Sequence, residues 1–230
     1  MARAAQHSGL PSVDADTPPD PPADCPLCPR LVAFRRDNQA RHPDFFNGAV
    51  GSFGDPKGRL LIVGLAPGLK GANCTGRPFT GDYAGDLLYD CLKAAGLASG
   101  AYARRPDDGL ALADTMVTNA VRCVPPQNKP VGDEINTCRP FLLARMRDMP
   151  HLTTLLALGR IAHETLIRAL GLRQKDYPFG HNARHDLGAV TLVDSYHCSR
   201  YNVNTGRITR DMFMDALATC QTAMTERAAP

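Results

Sequence analysis

The chain has 230 residues, of which 43% are hydrophobic and 21% are charged, and its formal net charge is +3. This length suits one α/β domain with a sizeable core, and the composition is that of an ordinary globular protein. No apolar run approaches the roughly 18–20 residues of a membrane span and no signal-peptide core is present, so we expect a cytoplasmic protein with no membrane partner. The mild positive charge permits an acidic partner such as DNA without requiring one.

The first 24 residues differ in composition from the rest of the chain. They hold five prolines, four aspartates and few large apolar side chains. Such a segment buries too little apolar surface to offset the entropy that is lost on ordering. We therefore predict a disordered or extended N-terminal tail over residues 1–24 and a single α/β domain over residues 25–230.

Residues 25–230 alternate between helical and strand patterns. In chain order the patterns predict a helix at 31–42, a strand at 59–65, a helix at 84–96, a strand at 115–122, a helix at 131–149, a strand at 152–159, a helix at 160–171, a strand at 189–197 and a helix at 209–226. Pro140 is expected to kink or restart the third of these helices. The alternation predicts a three-layer αβα sandwich with a central, mostly parallel four-stranded sheet.

Three polar or glycine-rich loops each follow a predicted strand, at residues 64–85, 119–130 and 195–207. Ligands of parallel α/β sheets bind outside the carboxyl ends of the strands. We therefore expect the three loops to form one shared site.

The loop at 64–85 holds six glycines but matches neither common phosphate-binding pattern. A P-loop needs a second glycine where Leu69 stands, and the dinucleotide fingerprint needs glycines where Ala66 and Leu69 stand. The loop therefore either serves a ligand other than a nucleotide phosphate or is a connection without a ligand.

Four of the eight cysteines have a spacing that is typical of metal ligands. Cys25 and Cys28 form a C-x-x-C pair, and Cys123 and Cys138 follow after the second predicted strand. Without an export signal, such a set favours metal binding over disulfides. On spacing alone, zinc, an iron–sulfur cluster and the absence of a metal all stay open.

Three stretches together resemble the motifs of the uracil-DNA glycosylase superfamily, in its iron–sulfur branch and closest to family 5, the type-b enzymes. They are "GLAPGLKGANCTGRPFTGD", "TNAVRCVPPQNKP" and "SYHCSRYNVNTGR", and the resemblance runs from about Cys25 to the last helix. It implies a monofunctional DNA glycosylase of base excision repair, which flips uracil or other deaminated bases such as hypoxanthine and xanthine out of DNA, hydrolyses the N-glycosidic bond and leaves an abasic site. It also implies a 4Fe–4S cluster on Cys25, Cys28, Cys123 and Cys138, with zinc as the alternative, in a protein that we expect to be a monomer on DNA.

The resemblance implies roles for four side chains around the flipped base. Phe79 is a stacking platform, although a plug in the core is the alternative for this residue. Asn119 reads the Watson–Crick edge, with a turn-forming role as its alternative. His197 donates to the base carbonyl as the bond breaks. Asp82 matches the aspartate that positions water or stabilises the cationic sugar, and it equally suits a helix N-cap.

Further residues of the same loops complete the implied site. Gly64 and Ala66 are small enough for the backbone to lie close to a planar base. Asn202 matches an asparagine that contacts the substrate or the abasic product. Arg200 and Arg77 are candidates for holding DNA phosphates.

The chain departs from the family pattern at several positions. Gly68, Leu69 and Lys70 stand where the family typically has two alanines and a histidine, Cys74 stands for an arginine, and Cys198 stands for the proline after the motif histidine. Leu65 stands where family-4 relatives carry a glutamate, so no carboxylate directly follows the first strand. An alternative function is a metal-stapled, non-catalytic nucleic-acid-binding protein, but it leaves the three loop motifs without a purpose.

Overall fold

The computed structural model describes residues 9–227, with residues 1–8 and 228–230 outside the described part. The strands are β1 (Phe53–Gly54), β2 (Leu60–Gly64), β3 (Ala98–Ser99), β4 (Ala111–Leu112), β5 (Thr115–Asn119), β6 (Thr154–Leu158), β7 (Arg184–Asp186) and β8 (Thr191–Ser195). Six of them form the central sheet in the order β1-β5-β2-β6-β8-β7, and β3 and β4 form a separate small sheet.

The prediction of a mostly parallel sheet is confirmed, but the predicted number of four strands is wrong. The four predicted strands are the parallel centre, β5-β2-β6-β8, and every residue in them is buried. The two further strands, β1 and β7, pair antiparallel at the edges. They have two and three residues, all at least partly exposed, so they carry no periodic apolar pattern that a sequence could reveal.

Seven α-helices complete the described chain: α1 (Pro29–Arg41), α2 (Ala72–Thr75), α3 (Tyr83–Ala94), α4 (Gly132–Arg147), α5 (Arg160–Ala169), α6 (Arg200–Asn204) and α7 (Arg210–Glu226). The apolar sides of α3 and α7 pack on one face of the sheet, and those of α4 and α5 pack on the other. This arrangement confirms the three-layer sandwich. Pro140 lies inside α4, which continues through it. None of the helices in residues 9–227 is long and apolar enough to cross a membrane.

Residues 9–24 run as an extended arm along the domain. Arg122 and Arg145 both form ion pairs with Asp20 of this arm, and Ser52 donates its hydroxyl to the same carboxylate at 2.7 Å. Arg147 donates to the backbone carbonyls of Asp14 and Thr17 at 3.0 Å. These charged contacts hold residues 9–24 against the domain, although the segment has few large apolar side chains.

Candidate active site

The three loops meet at the carboxyl edge of the sheet. In the parallel pair of β2 and β5, Gly64 lies opposite Asn119, and the backbone N–H of Ala120 donates to the carbonyl of Gly64 at 2.9 Å. His197 follows β8 by two residues, with its Cβ 3.5 Å from the place of a Cβ on Gly159, the residue after β6. Parallel strands bring their ends to one edge, so residues far apart in the chain become neighbours.

A narrow recess of about 40 Å³ lies between these loops, at the side of a cleft of about 580 Å³ with which it shares part of its wall. The recess is lined by Ala66, Pro67, Gly68, Ala72, Phe79, Asp82, Ala84, Asn119 and His197. The structure thus brings together five of the residues that the sequence singled out. The other three lie close by: Gly64 behind Phe79, Asn202 behind His197, and Arg200 at the outer cleft.

Phe79 forms one wall of the recess in a constrained backbone conformation. Its φ is +51°, in the left-handed region that is unfavourable for a bulky residue, and its side chain is only 6% exposed. Gly85 permits this, because a Cβ there would lie 1.8 Å from the carbonyl oxygen of Phe79. Tyr102 donates its hydroxyl to the same carbonyl at 3.3 Å. The sequence analysis did not single out Gly85 or Tyr102, since neither belongs to a motif.

His197 presents a neutral imidazole to the cleft. Burial lowers the pKa of His197 to about 4, so its ring carries no positive charge at neutral pH. The ring centroid lies 6.3 Å from that of Phe79, with the planes at 34°. The side-chain amide of Asn202 donates to the backbone carbonyl of His197 at 2.8 Å, which fixes the loop that carries the imidazole.

Asp82 serves two structural neighbours with its two carboxylate oxygens. Oδ1 accepts from the backbone N–H of Ala84 at 3.1 Å, so Asp82 is the N-cap of α3. Oδ2 faces the glycine loop, since a Cβ on Gly71 would lie 2.3 Å from it and a Cβ on Gly68 3.0 Å. Burial raises the pKa of Asp82. The N-cap alternative is therefore realised, and the same carboxylate also lines the recess.

Asn119 brings an amide to the recess. Its side chain is 4% exposed and lines the recess, and no side-chain hydrogen bond found among the described residues involves its amide. Its Oδ1 lies 2.5 Å from the place that a Cβ on Gly64 would take. A nearly buried amide without a protein partner is available to pair with a ligand.

The outer cleft carries positive charge. Lys70 and Arg200 line it together with Tyr83 and Asn128, and the Arg200 guanidinium lies 5.4 Å from the centre of the Tyr83 ring. Arg77 has a different role from the predicted one. It is 5% exposed and pairs with the buried carboxylate of Asp108 at 2.8 Å, so it is not available to a DNA phosphate.

The positions that depart from the family pattern lie at different depths. Leu65, Gly68 and Lys70 line the cleft itself, and Asp82 is the one carboxylate among its lining residues within the described chain. The Cys198 side chain is fully buried in the layer of α3 and α7, where burial raises the pKa of its thiol.

The four candidate cysteine ligands line one small apolar cavity at the start of α1. Cys25, Cys28, Cys123 and Cys138 share its wall with apolar side chains such as Leu31. Burial raises the pKa of Cys123 to about 12 and that of Cys138 to about 11, so a metal would have to displace their protons. Across residues 9–227, no three of these sulfurs lie within 4.8 Å of one another.

Buried arginines border this cysteine cavity. Arg35 is 6% exposed, and its guanidinium donates to Cys123 Sγ at 3.8 Å and to the carbonyl oxygens of Asp24 and Cys25 at 3.0 Å. Arg122, 1% exposed, precedes Cys123 and also lines the cavity. Neither was singled out from the sequence, where both look like ordinary surface arginines.

The fold and the site define the class of protein. A family model described as the uracil DNA glycosylase superfamily matches residues 52–221, and the chain belongs to this superfamily. Within it, the chain stands with the type-5 members. It is 45% identical over 199 residues to the type-5 uracil-DNA glycosylase of Thermus thermophilus, which covers 84% of this chain and 90% of that protein. It is 40% identical to that of Mycobacterium tuberculosis, over 83% of this chain and 75% of the relative, and 33% identical to that of Pyrobaculum aerophilum, over 84% and 86%.

Proposed function

We propose that the protein is a monofunctional uracil-DNA glycosylase of base excision repair, which also removes other deaminated bases such as hypoxanthine and xanthine. The observation that carries this function is the recess at the carboxyl edge of the sheet, where Phe79, Asn119, Asp82 and His197 meet. The type-5 relatives of this chain are named uracil-DNA glycosylases.

The recess is suited to a base that has left the helix. Enzymes that act on a base in duplex DNA rotate the nucleotide outward, which is least costly for a mispaired or damaged base. The flipped base would lie against the face of Phe79, and the side-chain amide of Asn119 would meet its edge with one donor and one acceptor. The 6.3 Å between the Phe79 and His197 rings leaves no room for a base between them, so His197 would reach the edge of the base.

Breaking the N-glycosidic bond leaves negative charge on the departing base and positive charge on the sugar. A neutral His197 still has one ring N–H, which can donate to a base carbonyl and so stabilise the leaving group. Asp82 provides negative charge for the sugar cation and an acceptor for the attacking water. Water supplies the hydroxyl that bonds to the sugar carbon, the base leaves with the electron pair of the broken bond, and the proton that water releases neutralises the departed base.

The absence of a carboxylate at Leu65 supports a permissive enzyme. With Asp82 as the one carboxylate among the cleft residues of the described chain, catalysis would depend mainly on stabilising the leaving base. Deaminated purines resemble uracil in presenting a carbonyl group and a ring N–H. A pocket that recognises its base through only a few hydrogen bonds would therefore also accept deaminated purines.

The outer cleft would hold the DNA backbone. Lys70 and Arg200 line it and would contact phosphates near the flipped nucleotide. We further propose that the protein acts in the cytoplasm as a monomer on DNA, since one chain supplies every residue of the recess.

We also propose that Cys25, Cys28, Cys123 and Cys138 bind a 4Fe–4S cluster, which stabilises the fold beside the active site and takes no part in bond cleavage. A single zinc ion with bonds of about 2.3 Å holds its sulfurs roughly 3.8 Å apart. The wider spread of these sulfurs suits a cluster better than a single ion.

The charge around the cavity supports an anionic metal centre. Arg35 has no carboxylate partner, and Arg122 and Arg145 share the single carboxylate of Asp20, which leaves two excess positive charges. The nearby Glu134 is balanced by Arg30. Four thiolates with a cluster carry a net charge of about −2, which would compensate these buried guanidinium groups.

The glycosylase is tested with labelled duplexes that carry one uracil, hypoxanthine or xanthine, followed by alkaline cleavage of abasic sites. Strand breaks should depend on the modified base and should disappear in His197→Ala but persist in the control His151→Ala, a surface histidine outside the site. If only the uracil duplex is cleaved, the broader specificity is wrong. If none of the duplexes is cleaved by a protein preparation that still binds DNA, the enzymatic function is refuted.

The cluster is tested by iron and sulfide analysis of protein purified without oxygen. Cys123→Ser should lose iron and folding together, whereas Cys74→Ser, a half-buried cysteine outside the cavity, should keep both. A stable, fully folded Cys123→Ser protein without iron would refute the structural role, and stoichiometric zinc without iron would replace the cluster by the ion.

A further inference from the structure

A second group of potential metal ligands lies on the sheet, separate from the cysteine cavity. His163 of α5, Asp194 of β8 and His185 of the edge strand β7 have side-chain exposures of 2%, 0% and 11%. In residues 9–227 they form the one set of three or more His, Cys, Asp or Glu side chains whose ligand atoms all lie within 4.8 Å of one another.

Both ring nitrogens of His163 face oxygen atoms that can accept a hydrogen bond. Its Nε2 lies 2.9 Å from the carbonyl oxygen of Tyr177, and its Nδ1 lies 2.7 Å from Oδ1 of Asp194. Both partners are acceptors, whereas a neutral imidazole has only one N–H. If Nε2 donates to Tyr177, the Nδ1 lone pair faces a carboxylate, and either a second proton or a metal ion must lie between them.

The surroundings of His163 are those of a metal ligand. A ligating histidine almost always donates its other ring N–H to a carbonyl or carboxylate, and the Tyr177 carbonyl does this for Nε2. His185 adds a second imidazole, with Nε2 3.2 Å from Oδ2 of Asp194 and its ring centroid 5.5 Å from that of His163. Two imidazoles and one carboxylate are a common donor set for zinc.

We propose that His163, His185 and Asp194 form a binding site for one divalent transition-metal ion, with zinc as the preferred ion. Bonds of about 2.0–2.1 Å would require the 2.7 Å contact between His163 and Asp194 to open by about half an ångström. A water molecule would complete the tetrahedron. The thiolate-free donor set makes the site chemically distinct from the four cysteines.

The position of the site indicates what the ion would do. His185 and Tyr177 belong to the segment at 174–186, and Asp194 lies three residues before His197. His181 of the same segment stacks on Tyr196 with ring centroids 5.2 Å apart. The ion would therefore link the segment at 174–186 to β8, close to Tyr196. Its role would be structural rather than catalytic.

Cobalt(II) and zinc titrations of the full-length protein, after chelation of loosely bound metal, test the proposal. Wild type and His181→Gln should bind one equivalent of cobalt(II) with the d–d absorption of a tetrahedral nitrogen–oxygen site, and zinc should raise their melting temperatures. His185→Gln and Asp194→Asn should bind at least about tenfold more weakly and lose the zinc-dependent shift. Thiolate-to-cobalt charge transfer reports the cysteines separately and should be the same in every variant that folds.

His185 lies near the edge of the sheet, so His185→Gln should fold even if Asp194→Asn does not. Metal binding can then still be compared between a variant and wild type. Equal binding by His185→Gln and wild type would overturn the proposal. So would a wild-type protein that binds neither ion outside its cysteines, because a proton would then bridge His163 and Asp194. Neither outcome depends on glycosylase activity.

Discussion

Gly64 lies directly against the ring of Phe79: a Cβ atom at position 64 would be 2.5 Å from Phe79 Cζ. The same atom would lie 2.5 Å from Oδ1 of Asn119. Gly64 is the last residue of β2, and its backbone is paired on the β5 side, so it cannot move away. The stacking wall and the amide of the recess therefore both depend on the missing side chain of one residue.

Gly64→Ala should displace Phe79 or Asn119 and reduce the single-turnover rate on uracil-containing DNA. Overpacking of this kind costs about 1–3 kcal/mol of stability, which urea unfolding will measure. Gly132→Ala is the control, because a Cβ there meets nothing within 4 Å. Wild-type rates in Gly64→Ala would show that the geometry of Phe79 and Asn119 does not matter for catalysis.

Asp82→Asn should separate the two roles of Asp82. An asparagine oxygen still caps α3, so the free energy of unfolding should change by less than about 0.5 kcal/mol, while loss of the charge should lower the rate about 100-fold. Thr209→Ala is the matched control, because Thr209 caps α7 away from the cleft and accepts from Met212 N–H at 3.2 Å. In the Thr209→Ala variant the free energy of unfolding should fall by about 1 kcal/mol, while the rate of uracil removal should stay unchanged. An active Asp82→Asn would leave Asp82 as a helix cap alone.

The pKa of His197 predicts a pH dependence with a definite sign. Burial lowers this pKa from 6.5 to about 4, so between these values the unfolded chain binds a proton at His197 that the folded chain does not. Protein stability should therefore fall as the pH decreases from about 6.5 to about 4, and His197→Gln should show a flatter profile. Urea unfolding at several pH values measures both, and an NMR titration of His197 near 6.5 would contradict the buried, neutral imidazole.

Arg35→Gln tests the proposed metal centre without removing one of its four proposed cysteine ligands. It deletes the hydrogen bond to Cys123 Sγ and one buried positive charge, so a 4Fe–4S cluster should become harder to reduce and iron retention should fall by roughly half or more. Redox titration and iron analysis measure these effects. The neighbouring Arg36 is exposed, and Arg36→Gln is the control. Equal potentials and iron contents in the two variants would exclude a role for Arg35 at the centre.

Asp20→Asn should destabilise the protein although Asp20 lies in the N-terminal arm. It removes the carboxylate that forms ion pairs with both Arg122 and Arg145, whose side-chain exposures are 1% and 9%. Breaking a buried ion pair costs about 3 kcal/mol or more, and denaturant unfolding should detect this loss. Asp16→Asn, at an exposed position of the same arm, should have no effect. Equal stability of the two variants would mean that the arm does not contribute to the fold.

The long elements were predictable because their signal is local. Each parallel strand is a fully buried run of five residues with apolar residues at its centre, and the helices carry apolar residues at helical spacing. The edge strands β1 and β7 could not be predicted, since their pairing depends on neighbours that are distant in the chain. Pro140 shows a further limit of prediction from sequence, because α4 continues through this residue although proline usually interrupts a helix.

The site residues were predictable as motifs but not in their contacts. The sequence placed Phe79, Asp82, Asn119 and His197 in loops after strands, and the structure brings them to one recess. It did not reveal that Asn202 uses its amide on the carbonyl of His197, or that two buried arginines border the cysteines.

The amino-acid sequence by itself determined the class of fold, the order of its main elements and the family, because periodicity, turn residues and motifs are local properties. Only the tertiary structure decided which polar groups are paired and which are free. Arg77 is buried on Asp108, Asp20 pairs with arginines that follow it by more than a hundred positions, and the side chain of Asn119 lines the recess. Burial and partnership depend on contacts between distant segments, and they set the charge and the availability of each group.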